Sequence, residues 1–185
     1  MEKRNDENSD FWVNAFKDGK VYNKLEPLTE DKITAELELF KRPLTKKEKE
    51  ELSECMSLDE IEKCSNYFAG IKLPMSYINF LKFCNIVEMK NGERYFQFLS
   101  LKEIREYTIA YQFLKYMNGA ITFGLNGGGV HYIFDARKKN IYGEYPIYAS
   151  NSGNLGWEAD EAYFLGNTFL EVIADKTNIE DIIFR

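Results

Sequence analysis

The chain has 185 residues, 44% of them hydrophobic and 29% charged, with a formal net charge of −6. That length suffices for one domain with a real core, and the acidic balance argues against a general nucleic-acid binder, which needs a basic face. The negative charge suits a cationic protein partner or simply keeps the chain in solution.

The first ten residues, M-E-K-R-N-D-E-N-S-D, are polar and carry no apolar signal segment. Asp10 is placed to cap a short helix carrying Phe11, Trp12, Ala15 and Phe16, ending at Gly19. Thr29 is the N-cap of a second helix with Ile33, Leu37 and Phe40 at helical spacing, broken by Pro43. Thr45 with Glu48, and Ser57 with Glu60, read as capping boxes that start two further helices. The second of these places Leu58, Ile61, Cys64, Tyr67 and Phe68 inward and stops at Gly70. Leu73-Pro74 opens a helix with Met75, Ile78, Leu81 and Phe83 or Cys84 as its apolar stripe.

After Cys84 the period changes. Ile86 to Met89 and Arg94 to Phe98 flank Lys90-Asn91-Gly92-Glu93, whose Asn-Gly is a hairpin signal. Ser100 caps a helix expected from Leu101 to about Lys115, and Asn118-Gly119 ends it. Ile121 to Phe123 and Val130 to Phe134 are β-branched and aromatic, joined by a run containing Gly127, Gly128 and Gly129. They read as two antiparallel core strands with a glycine-built turn. Lys138-Lys139-Asn140 is a polar turn, and Ile141 to Tyr148 is a further strand. Pro146 marks that strand as an edge or a bulge and leaves self-association open. Ser150 to Gly156 is a loop, and Ala162 to Leu165 a short strand or an extended lead-in. Asn167 or Thr168 caps a last helix to about Asp175, and the apolar tail, Ile179 to Phe184, is expected to pack back.

Catalytic chemistry finds little support. G-L-N-G-G-G-V-H has the glycine spacing of the phosphate loop G-x-x-x-x-G-K-S/T, but Val130 and His131 stand where Lys and Ser/Thr must be. His131 is the sole histidine, which rules out a multi-histidine metal site. It reads as a packed strand residue, and Asp135 as a turn or cap at the strand end. No G-x-S-x-G places a nucleophile near them. Cys55, Cys64 and Cys84 are sparse and odd in number, which fits reduced thiols in a cytoplasmic protein. No apolar run approaches the roughly 20 residues needed to cross a bilayer. No cofactor, metal, nucleic acid or membrane is expected as a partner. Tyr142, Tyr145, Tyr148, Trp157 and Tyr163 gather with Glu144, Glu158, Asp160 and Glu161. They read either as a protein-binding surface or as core rings with a solvated acidic rim.

Three motifs in order resemble the SUKH superfamily of Smi/Knr-like domains. Leu58 to Leu81 carries the G-x-x-L-P-x-x-Y-x-x-F-L opening on Gly70, Leu73, Pro74, Tyr77, Phe80 and Leu81. The glycine stretch is similar to the family's I-x-F-G-x-x-G-G-G-x-x-x-x-F-D core hairpin, with Gly124, Gly127, Gly128, Gly129 and Asp135 in place. Ala162 through Gly166 and Phe169 to Ile173 is similar to the final helix. The chain departs from the pattern near Ser65 and after Asn85, where Ile86-Val87 replaces a frequent Gly-Gly.

The resemblance implies an α+β fold, a central antiparallel β-sheet flanked by α-helices. It divides the chain into a helical N-terminal extension, 1–56, and a SUKH-like domain, 57–185. It also implies a role without catalysis. Bacterial members are mostly immunity proteins that neutralise toxins, often nucleases, and fungal members are regulatory scaffolds. The expectation is an immunity-type binder of a basic cognate toxin, using Tyr142, Glu144, Tyr145, Trp157, Glu158, Asp160 and Glu161. A regulatory interaction domain is the alternative, and an enzyme using His131 or Asp135 the third reading.

Overall fold

The computed structural model describes residues 16–138 and 143–183. The expected helix through Phe11, Trp12 and Ala15, the turn at Lys139-Asn140, the start of the expected strand at Ile141-Tyr142, and Phe184 lie outside them. Seven strands form one antiparallel sheet in chain order. They are β1 (Lys20–Lys24), β2 (Ile86–Asn91), β3 (Arg94–Phe98), β4 (Ala120–Leu125), β5 (Val130–Asp135), β6 (Ile147–Asn151) and β7 (Tyr163–Gly166). The helices are α1 (Glu30–Lys41), α2 (Lys46–Leu52), α3 (Leu58–Lys63), α4 (Met75–Phe83), α5 (Leu101–Ala110), α6 (Phe113–Tyr116), α7 (Phe169–Ala174) and α8 (Glu180–Ile183), with a 3-10 turn at Tyr67–Gly70.

The caps act as the sequence indicates. The Thr45, Ser57 and Ser100 hydroxyls each accept from the backbone three residues on, and Glu48, Glu60 and Glu103 reach back to close the box. Thr29 and Thr168 cap α1 and α7.

Strand alternation divides the sheet into two faces. The inner face is aromatic. Phe123 and Phe134 stack at 4.3 Å, Phe96 lies 4.8 Å from Tyr132, and α4 and α7 lay Tyr77, Phe80 and Phe169 against them. The Tyr77 hydroxyl, fully buried, donates to the Leu99 carbonyl. The outer face carries Ala120, Thr122, His131, Ile133 and Ser150, all buried. There Phe113 and Met117 from the α6 segment form a second, smaller core with Ala120 and Ile133.

Several expectations change. Residues 101–115 do not form one helix, because Gln112 turns left-handed at φ 58° and splits α5 from α6. Leu58 and Met75, expected inside, are 80% and 62% exposed, since each sits in the first turn before its helix meets the core. The hairpin forms where expected, but its loop shortens to Gly92-Glu93, because Lys90 and Asn91 pair with Tyr95 and Arg94. Gly92 takes φ +59°, and a Cβ there would stand 2.5 Å from Lys176 Cβ. Pro146 precedes β6 and lies at no sheet edge. Its carbonyl accepts from Asp135 N, and β6 is flanked by β5 and β7. The edges are β7 and β1, a strand with no clear sequence signal and exposed at all five residues.

Residues before 57 join the same core and sheet. Phe40 meets Phe68 at 5.2 Å, and β1 pairs with β2. Asn85, which ends the helix before β2, is left-handed at φ 42°. Its side-chain amide donates to the Glu26 carbonyl at 2.7 Å, and its own carbonyl accepts from Leu25 N at 3.0 Å. Asn85 is therefore where the N-terminal segment docks. The three cysteines are free thiols, and among the described residues no helix is long and apolar enough to cross a membrane.

Candidate partner-binding face

The outer face continues past its buried strip onto β6, β7 and the loop between them. Alternation on β6 sends Ile147 and Ala149 into the inner core and leaves Tyr148 on the outer side, opposite Phe164 of β7. Tyr148 meets Phe164 edge-on at 5.6 Å and Trp157 edge-on at 5.5 Å. Phe164 is 52% exposed.

Trp157 is fixed from three sides. Its indole Nε1 donates to the Asn118 carbonyl at 3.0 Å, Tyr148 abuts its edge, and the Arg137 guanidinium lies 3.6 Å from the ring centre. Arg137 is held in turn by buried Asp135, through Nε to Oδ1 at 2.8 Å and Nη2 to Oδ2 at 3.0 Å. Those hydrogen bonds raise the Arg137 pKa further, so the cation stacks on the indole at any physiological pH. The result is a rigid aromatic anchor with little side-chain entropy left to lose on binding.

Carboxylates flank the anchor. Glu158 and Asp160 are exposed, and Glu161 is half-buried, its Oε2 accepting from Glu158 N at 3.0 Å. Gly156 makes room for that turn, since a Cβ there would meet Glu161 Oε2 at 1.8 Å. Among the described residues, no Lys or Arg forms a salt bridge with these three acids.

The other end of the loop walls a cleft of about 490 Å³, formed by Ser152, Asn154 and Leu155 facing Tyr111, Gln112 and Tyr116. The glycine turn supports this wall. Ser152 donates from both N and Oγ to the Gly129 carbonyl, at 2.8 and 2.6 Å. Gly127 and Gly129 have positive φ, and Asn126 Oδ1 accepts from Gly128 N and Val130 N. Gly124, in β4, lies against β3, where a Cβ would be 2.8 Å from the Gln97 carbonyl oxygen.

The expected site residues therefore separate. Trp157, Glu158, Asp160 and Glu161 come together. Tyr142 lies outside the described residues. Glu144 and Tyr145 face inward: Glu144 accepts from Ser76 Oγ at 2.7 Å, and Tyr145 packs near Phe134 at 3% exposure. Their place in an exposed interface is corrected, because the chain entering β6 turns Glu144 against the start of α4 and Tyr145 against Phe134. Phe164 and Arg137 belong to the face but escaped the sequence reading. Period-two counting from Tyr148 across to β7 would have found Phe164, whereas Arg137 depends on a fold-made contact.

The His131–Asp135 pair does not form. Asp135 is occupied by Arg137, while His131 Nδ1 lies 3.0 Å from Thr122 Oγ1. His131 is fully buried beneath Tyr111 and Phe113, and its Nε2 has no hydrogen-bond partner. Burial lowers its pKa to about 4, so it is neutral at pH 7. Among the described residues, no group of three His, Cys, Asp or Glu side chains is placed to hold a metal.

A family model, that of the SMI1 / KNR4 family (SUKH-1), matches residues 55–175, close to two thirds of the chain. No curated protein matches the chain.

Proposed function

The chain belongs to the SMI1 / KNR4 family (SUKH-1), and from that premise we propose that it is an immunity-type protein that neutralises a cognate bacterial toxin by direct binding. Family membership carries the reading, and it supports a toxin-immunity or Smi1/Knr4-type protein-interaction role. Roles of this kind are generally non-catalytic. A cytoplasmic binder acts by occluding the toxin's working surface and needs no turnover.

The Trp157 face supplies what such binding needs. A held indole and a half-exposed Phe164 give apolar area at low entropic cost. Glu158, Asp160 and Glu161 supply negative charge at the rim, suited to a basic toxin, nucleases being one such class. Rim charges of this sort accelerate encounter and are screened within about 8 Å at physiological salt.

The test is co-expression with the product of the neighbouring gene, followed by a binding measurement on the purified pair. Protection from toxicity, with affinity weakened by Trp157→Ala and an association rate lowered by Glu158→Lys, is the expected result. A neighbour that is not toxic but still binds would favour the regulatory-scaffold role. Full protection with unchanged affinity in both variants would move the interface elsewhere.

A further inference from the structure

α1 and α5 leave a cleft of about 270 Å³ between them. Its walls are Glu36, Leu39 and Phe40 from α1, Arg42 and Glu48, and Lys102, Arg105 and Glu106 from α5. That volume falls below the roughly 300–1,000 Å³ of small-molecule sites and fits a single side chain.

The cations of this cleft are already engaged. Arg105, fully buried, donates to both Glu48 oxygens at 2.8 Å and to the carbonyls of Phe40, Arg42 and Pro43 at 2.6, 2.8 and 3.1 Å. Arg42 shares Glu48 at 3.4 Å, and Lys102 pairs with Glu106 at 3.6 Å. Glu36 is left over. Its Oε2 is buried and has no hydrogen-bond partner. Burial raises its pKa, against the pull of Lys32. A carboxylate oxygen shielded from water and without a donor gains strongly from an incoming cation, because desolvation has already occurred. Beside it, Leu39 is 63% exposed, an apolar surface along which an alkyl stem can lie.

We propose that this cleft receives one basic side chain, arginine or lysine, from a partner protein, its stem on Leu39 and its cation on Glu36. That the side chain comes from a partner rests on the protein-binding role proposed above. That the cleft takes a cation does not. The occupant is a basic residue and not a free metabolite because the space holds one side chain and offers one unpaired acceptor.

The full chain, isotope-labelled, is titrated with N-acetyl-arginine amide, N-acetyl-lysine amide and the neutral N-acetyl-norleucine amide, reading backbone amide shifts. Saturable shifts centred on Glu36, Leu39 and Glu106 are expected with the basic probes and not with norleucine. Glu36→Gln, which keeps the shape, should weaken binding at least tenfold, while Glu38→Gln, exposed on the same helix, should leave it unchanged. An equal response to norleucine overturns the proposal, and so does undiminished binding in Glu36→Gln or an absence of saturable shifts at the cleft. Because no toxin enters this experiment, its failure would leave the immunity reading untouched, and a failed co-expression test would leave the cleft standing.

Discussion

Arg105 shows how one side chain can join two parts of the molecule. Its guanidinium donates to Glu48 and to three carbonyls of the segment between α1 and α2. Burial works against ionisation of Glu48, but hydrogen bonds from Arg105 and from the Thr45 backbone and hydroxyl outweigh it and hold the carboxyl at about 2. Arg105→Ala takes two charged donors from that carboxylate, leaving it Thr45 and Arg42, and removes the guanidinium from three carbonyls. Urea unfolding should show a loss of about 3–5 kcal/mol, and Arg105→Lys should restore little because an ammonium cannot reproduce the fork. His131 gives the complementary case. The folded chain keeps it neutral to about pH 4, whereas the unfolded chain binds a proton below its ordinary value of 6.5. Stability therefore falls as pH drops from 6.5 to 4, by up to about 3 kcal/mol, and His131 adds nothing further below that. A His131→Gln variant should flatten denaturation midpoints across this window. Glu48 acts in a lower window, its contribution being lost as pH falls from 4.5 towards 2.

At the scale of elements, the glycine turn makes a prediction that separates three adjacent residues. Gly127 and Gly129 stand at φ +78° and +89°, while Gly128 does not have a positive φ. Alanine at 127 or 129 should lower stability by roughly 1–2 kcal/mol, and alanine at 128 should fall within about 0.5 kcal/mol of the parent. Thermal or urea unfolding of the three variants checks it. The turn's place between β4 and β5 was legible because apolar runs and glycine are local signals. So were the capped starts of α2, α3 and α5, where the hydroxyl and the glutamate lie three residues apart. The break at Gln112 was not legible. Nothing in Tyr111-Gln112-Phe113 disfavours helix; the chain turns there because Phe113 and Met117 must reach the outer face beside Ile133. β1 was hidden for the opposite reason, since five exposed residues carry no burial pattern.

At the scale of the whole molecule, the N-terminal residues and the family-matched region share one core. Residues 16–52 supply an edge strand, two helices and the buried Phe16, Ile33, Phe40, Leu44 and Leu52. A chain starting at residue 57 would uncover the inner surface of α5 and strand Arg105. It is expected to aggregate or lose its cooperative thermal transition, and calorimetry with size-exclusion chromatography would show either. Partner binding through the Trp157 face should weaken with salt, mainly through the association rate, as a kinetic series across ionic strength would reveal.

By itself the sequence determined the fold class, the capped helix starts, the glycine hairpin and the family, because each rests on residues near one another in the chain. It also brought Trp157, Glu158, Asp160 and Glu161 together, since they lie in one loop. Only the tertiary structure decided that Glu144 and Tyr145 turn inward, that Arg137 clamps Trp157, and that Glu36 is left without a donor. Side-chain direction and charge pairing depend on which distant segments meet, and that is fixed by packing and not by local spacing.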